Sequence, residues 1–99
     1  MSTLQDLQKW YRSQCNGDWE HTYGVKINTL DNPGWSLTID LVGTNLADRS
    51  FTKINRLSDD ASWLVCEVRD SRFEGRSGSL MLEELVKIFL AWASEVRNP

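Results

Sequence analysis

The 99-residue sequence is short of the residues from which specialised scaffolds and catalytic sites are built. Its two cysteines, Cys15 and Cys66, are too few for a disulfide framework and lack the paired spacing of a zinc site, so both are expected to be free thiols. With one histidine, His21, any cysteine or serine nucleophile has a single choice of base, and only Cys15 stands near it, six residues away across a glycine turn. No uncharged stretch approaches the roughly 18 to 20 apolar residues of a membrane span. The segment Met1–Tyr11 mixes Asp6 and Lys9 among its leucines, without the basic start and apolar block of a secretion signal, which predicts a cytoplasmic protein. The glycine loop Gly75–Gly78 lacks the Lys-Ser/Thr ending of a phosphate-binding loop. No repeat, linker or low-complexity tract divides the chain, which predicts one domain over residues 1–99.

Positive charge is also scarce: the net charge is −3, which argues against nucleic-acid binding through phosphate contacts. The acids are unevenly placed. Between Ser13 and Asp48, Asp18, Glu20, Asp31, Asp40 and Asp48 face only Lys26, whereas the stretch Arg49–Arg76 is nearly balanced.

What is present is hydrophobic periodicity of two kinds. Thr3 followed by Asp6 has the spacing of a helix start, and Leu4, Leu7, Trp10 and Tyr11 form one apolar stripe that Asn16-Gly17 should stop. A helix over about Leu4–Cys15 follows. Trp19, His21, Tyr23, Val25 and Ile27 alternate with polar residues, predicting a strand from Trp19 to near Thr29. The turn cluster Asp31-Asn32-Pro33-Gly34 and the alternation Trp35, Leu37, Ile39, Leu41 complete a β-hairpin. Phe51–Leu57 reads as a weaker edge strand and Trp63–Arg69 as a central one, with Asp59-Asp60 marking the turn between them. Ser71–Gly75 adds a short fifth strand, Arg76–Ser79 a loop in which Ser79 caps the next helix, and Leu80–Val96 that helix, with Leu82, Leu85, Val86, Phe89, Trp92, Ala93 and Val96 turned to the sheet. Strands grouped between two helices predict an α+β fold, a four- to five-stranded mostly antiparallel sheet with the C-terminal helix packed on it.

Three chemistries remain open on these residues. Asp18, Glu20, Asp31 and Asp40 make either an acidic rim or a carboxylate set for acid–base work with His21, and the solvated rim is the simpler account. Trp10, Trp63 and Trp92 lie on apolar faces and are expected in the core. Trp19 and Trp35 stand beside turns, where they either staple the hairpin ends, anchor a partner, or line a small-ligand pocket with His21. Both are expected to be mostly buried. Nothing in the sequence calls for a metal or a cofactor.

The two turns also carry a resemblance. Cys15-Asn16-Gly17-Asp18-Trp19-Glu20-His21 and Thr29-Leu30-Asp31-Asn32-Pro33-Gly34-Trp35 are similar to the signatures of the immunity protein 53 family of bacterial polymorphic toxin systems, with its GDWE and GW motifs. Trp63 with Cys66, Phe73-Glu74-Gly75 and Phe89-Leu90-Ala91-Trp92 follow in the family's order, so the likeness runs through nearly the whole chain. It implies a cytoplasmic, non-enzymatic protein on an α+β fold that binds and blocks a toxin domain encoded by a neighbouring gene. Electrostatic complementarity to a nuclease-type toxin then makes Asp18, Glu20, His21, Asp31 and Asp40 the candidate contact residues, and Gly17, Trp19, Pro33, Gly34 and Trp35 the structural part of the motifs.

Overall fold

The N-terminal helix, α1 (Thr3–Gln14), starts on a cap one residue earlier than the Thr3 signal suggests. The Ser2 hydroxyl accepts from the Gln5 N–H at 3.1 Å, and the Gln5 side-chain oxygen accepts from the Ser2 N–H at 3.0 Å. This reciprocal pair satisfies two donors that the first turn of a helix leaves without partners. Asp6 sits in the same turn, at the positive end of the helix dipole. The computed structural model describes residues 2–95, so Val96, expected on the last helix, lies outside the described residues.

After α1 come a helical turn, α2 (Trp19–Thr22), five strands, β1 (Val25–Leu30), β2 (Gly34–Asp40), β3 (Ile54–Arg56), β4 (Leu64–Arg69) and β5 (Arg72–Gly78), and a closing helix, α3 (Leu82–Ala93). The strands form one antiparallel sheet in the order β1-β2-β5-β4-β3. The α+β architecture anticipated from the sequence is therefore present, with its helices at the two ends of the chain.

Four local expectations need correction. The first strand does not begin at Trp19: that segment is helical, and the extended chain starts at Val25. The strand expected over Phe51–Leu57 is only Ile54–Arg56. The Trp63–Arg69 strand is interior as expected, with β5 and β3 on its two sides, but β5 continues through the supposed loop, pairing Arg76, Ser77 and Gly78 with Ser36, Trp35 and Gly34. Ser79 caps no helix; α3 has Met81 at its N-cap, without a side-chain bond, and ends at Ala93.

Both long helices lie on one face of the sheet, where Leu37, Ile39, Leu64, Cys66 and Phe73 are fully buried. Leu7 from α1 and Leu85, Val86, Phe89 and Trp92 from α3 close the core from above. Each such side chain contributes roughly 1.5 to 3 kcal/mol through removal from water. Edge-to-face ring contacts link the layers: Phe73 to Phe89 at 5.2 Å, Trp10 to Phe89 at 4.9 Å and Phe51 to Trp92 at 5.2 Å. The opposite face carries Lys26, Glu67, Arg69, Arg72, Glu74 and Arg76 in cross-strand rows, and no described helix covers it. Asp70 and Ser71 join β4 to β5 in a two-residue turn at φ 55° and 58°.

Candidate functional site

The residues singled out by the motifs separate into two groups at opposite ends of the β1–β2 hairpin. At the start of β1, Asn16 organises the chain. Its side-chain oxygen accepts from the backbone N–H groups of Asp18 at 3.0 Å and Trp19 at 2.9 Å, which fixes the chain as it enters the helical turn α2. Glu20 answers from the other side: its carboxylate oxygens accept from the N–H of Asn16 at 2.9 Å and of Gly17 at 2.8 Å, with Gly17 at φ +89°. The Glu20 carboxyl is held below the usual carboxylate range, first by its own backbone N–H and then by those of Asn16 and Gly17, which together outweigh the opposing effect of desolvation. The glutamate of the GDWE motif thus closes a local loop.

Trp19 is the anchor of that loop. It is 6% exposed, donates its indole N–H to the Val42 carbonyl at 2.8 Å, and lies 6.2 Å from the Trp10 ring and 6.1 Å from the Tyr11 ring. Gly43, at φ +78°, comes so close that a Cβ there would stand 3.3 Å from the indole. Asp40 finishes the assembly from β2, accepting from the Gly24 N–H at 3.0 Å and from the Arg72 guanidinium at 3.2 Å. Asp18 and His21 are exposed on this end. Cys15 donates its thiol hydrogen to the Tyr11 carbonyl at 3.4 Å, and both cysteines are free.

The other end holds the GW motif. Gly34 pairs with Gly78 across β2 and β5, and a Cβ at Gly34 would overlap the Ser77 carbonyl oxygen, so the close approach of these strands requires glycine here. Trp35 is half-buried and donates its indole N–H to the Ser79 carbonyl at 3.1 Å. The expectation that both hairpin tryptophans are mostly buried therefore holds. They sit at opposite ends of β2, and with His21 exposed on α2 the three do not converge on one pocket. Asp31 is exposed in the turn that Pro33 closes.

Beside that turn lies a groove of about 590 Å³, walled by Asn32 and Pro33, by the β3–β4 loop from Leu57 to Ala61 with Trp63, and by Ser79. Trp63 was expected in the core; it immediately precedes the inward-facing Leu64 and so turns to the groove, half-buried. In the sequence Asp59-Asp60 reads as a turn signal, Leu57 as the end of an edge strand and Leu80 as the start of the last helix, whereas β3 ends at Arg56 and α3 starts at Leu82. The available clue was leucine placed in polar loops, at Leu57-Ser58-Asp59-Asp60 and Ser79-Leu80, outside any periodic stripe.

Among the described residues no group of three His, Cys, Asp or Glu side chains is placed to hold a metal ion, and no helix is long and apolar enough to cross a membrane. Chemically, the carboxylates of Glu20 and Asp40 are engaged as acceptors within the fold.

These features define a small two-layer α+β domain, five antiparallel strands beneath two helices, whose tryptophan-bearing turns lock the two ends of a hairpin. The family model of immunity protein 53 matches residues 4–94, and the chain belongs to that family. No curated protein and no solved structure matches it.

Proposed function

We propose that this chain neutralises a toxin domain encoded by a neighbouring gene, by forming a stoichiometric complex that occludes the toxin's working surface without chemical turnover. The observation that carries the reading is family membership across residues 4–94, nearly the whole domain. The burial of Trp19 and the engagement of Glu20 and Asp40 within the fold support it, because they give the motif residues a structural role.

A nuclease-type toxin is the partner that the charge favours. A protein that grips phosphates presents Lys and Arg, and an acidic blocker gains association rate from them. Of the candidate contacts Asp18, Glu20, His21, Asp31 and Asp40, the first three and Asp40 gather around the start of β1, while Asp31 lies at the far end of the hairpin. One compact contact patch takes one end or the other.

The test is co-expression with the neighbouring toxin gene, scored by growth, followed by co-purification and mass measurement of the complex. Rescue with a 1:1 complex is expected. Toxicity that persists, with no complex at micromolar concentrations of both proteins, overturns the proposal.

A further inference from the structure

The two most exposed large apolar side chains of the described structure are Leu57 at 79% and Leu80 at 76%; Leu57 lines the groove beside the β1–β2 turn, and Leu80 directly follows Ser79 of its wall. Leaving two leucines in water at one place forgoes burial that would contribute roughly 1.5 to 3 kcal/mol each, and exposed apolar residues grouped in this way mark interaction surfaces. The groove beneath them is pre-formed. Leu80 N–H donates to the Ala61 carbonyl at 3.1 Å and Gly78 N–H to the Trp63 carbonyl at 2.9 Å, which ties the β5–α3 connection to the β3–β4 loop. The Asp59 carboxylate accepts from the Ala61 N–H at 2.9 Å and braces the same loop. Its carboxyl is lowered below the usual range, first by that N–H and then by the Ser62 hydroxyl, so the brace stays ionised at neutral pH. Trp35 supports Ser79 through its indole N–H.

Charge tells what this groove accepts. Asp59 and Asp60 line it, Asp31 directly precedes the Asn32 of its wall, Glu83 and Glu84 open α3 just after Leu80, and no Lys or Arg occurs in the stretches 29–36, 57–63 and 77–84 that build this end. Neither the open sheet face nor the smaller groove between the helices has such a preference. On the open sheet face Lys26, Arg69, Arg72 and Arg76 are interleaved with Asp40, Glu67 and Glu74. The smaller groove between α1 and α3, about 270 Å³ and lined by Leu4, Leu7, Ile27, Leu82 and Val86, carries only Glu83. A second copy of this chain is disfavoured as occupant, since its own counterpart surface is acidic and its net charge is −3.

We propose that this groove is the docking surface for the toxin and that it receives a cationic segment of the partner. A Lys or Arg of the toxin meets Asp31 and Asp60, while a neighbouring apolar side chain seats on Leu57, Trp63 and Pro33 and is covered by Leu80. The inference rests on the toxin-binding reading above and assigns it to the Asp31 end of the hairpin.

The experiment measures association of the full chain with the toxin domain encoded by the neighbouring gene, by calorimetry and stopped-flow. The double variants are Leu57→Arg/Leu80→Arg and Asp31→Lys/Asp60→Lys, with circular dichroism as the check of folding. All four positions are exposed, so the fold should hold. The leucine pair should weaken Kd by roughly thirtyfold or more, as loss of central anchors does. The aspartate pair should slow association by about tenfold at roughly 50 mM salt and by much less at about 0.5 M, where screening removes the attraction. Asp48→Lys, the same replacement at a single exposed position elsewhere on the surface, should leave the leucine-dependent affinity as it is. A wild-type complex indifferent to both double variants overturns the groove and leaves the toxin-binding function standing. An effect confined to Asp18→Lys also overturns it, placing the partner at the other end. No complex with the wild-type chain overturns the function and the groove together.

Discussion

Replacing Trp19 by alanine separates a structural tryptophan from a contact residue, because the two roles move different measurements. The indole is nearly fully buried, touches the rings of Trp10, Tyr11 and Tyr23, and gives its N–H to Val42. Truncating such a side chain costs about 3 to 5 kcal/mol, out of a total of about 5 to 15 kcal/mol for a domain of this size. With a urea dependence of roughly 1.5 kcal/mol per molar, the unfolding midpoint should fall by about 2 to 3 M. Trp19→Phe keeps most of the ring packing and loses the bond to Val42, so it should cost about 1 to 2 kcal/mol and remain folded for binding measurements. Far-ultraviolet circular dichroism during urea titration reads both variants, since the remaining tryptophans complicate fluorescence. A Trp19→Ala protein within about 0.5 kcal/mol of wild type that nevertheless fails to bind the toxin would refute the reasoning and make Trp19 a contact residue.

Further outcomes follow from the same structure. Gly34→Ala should destabilise by about 2 kcal/mol because its Cβ overlaps the Ser77 carbonyl, whereas Gly24→Ala, with open space at its Cβ, should be close to neutral; equal midpoints in urea would contradict this. Asp70→Asn with Ser71→Gly should stabilise by about 1 kcal/mol, since both residues now hold positive φ in the β4–β5 turn, and a lower thermal midpoint would count against that account. Burial pushes the Cys66 thiol up to about 11, against a smaller lowering by Arg56, so at pH 8 a disulfide reagent should titrate Cys15 promptly and Cys66 only as fast as the protein opens. The unfolded thiol ionises first, near 9, so the folded state holds the proton longer and stability should fall between pH 9 and about 11, a loss that Cys66→Ala abolishes.

How much of this was legible in the sequence depends on which force decides each segment. The two long helices and β1, β2 and β4 could be read because their apolar residues recur at the period of the element. The turn Trp19–Thr22 could not: its alternation of Trp19, His21 and Tyr23 imitates a strand, and hydrogen bonds that the Asn16 and Glu20 side chains accept from the backbone override it. The central strand β5 was read as half loop because its inward positions after Phe73 are Gly75 and Ser77. At Gly75 the reason is that α3 packs directly over it; a Cβ there would stand 2.8 Å from Leu85. Apolar pattern is silent where a sheet makes room for a helix. For the candidate site, the acidic residues were visible, but their division between the two hairpin ends depends on register, and Trp63 changed sides by the same parity that buries Leu64.

The seam between β2 and β5 has a consequence for how the molecule comes together. β1–β2 and β4–β5 are each hairpins closed by short turns, so each forms from neighbouring chain, whereas β2 meets β5 across more than thirty intervening positions. The domain is in this sense two half-molecules, each contributing one long helix and one hairpin, with the connection through residues 42–53 carrying no strand or helix of its own. Docking along the seam brings α1 onto α3 and makes the floor beneath both helices continuous, and pairing this distant in sequence carries the larger loop-closure cost. A chain cut within that connection retains every strand pair in one piece or the other except the seam itself, which is the arrangement from which two fragments reassemble.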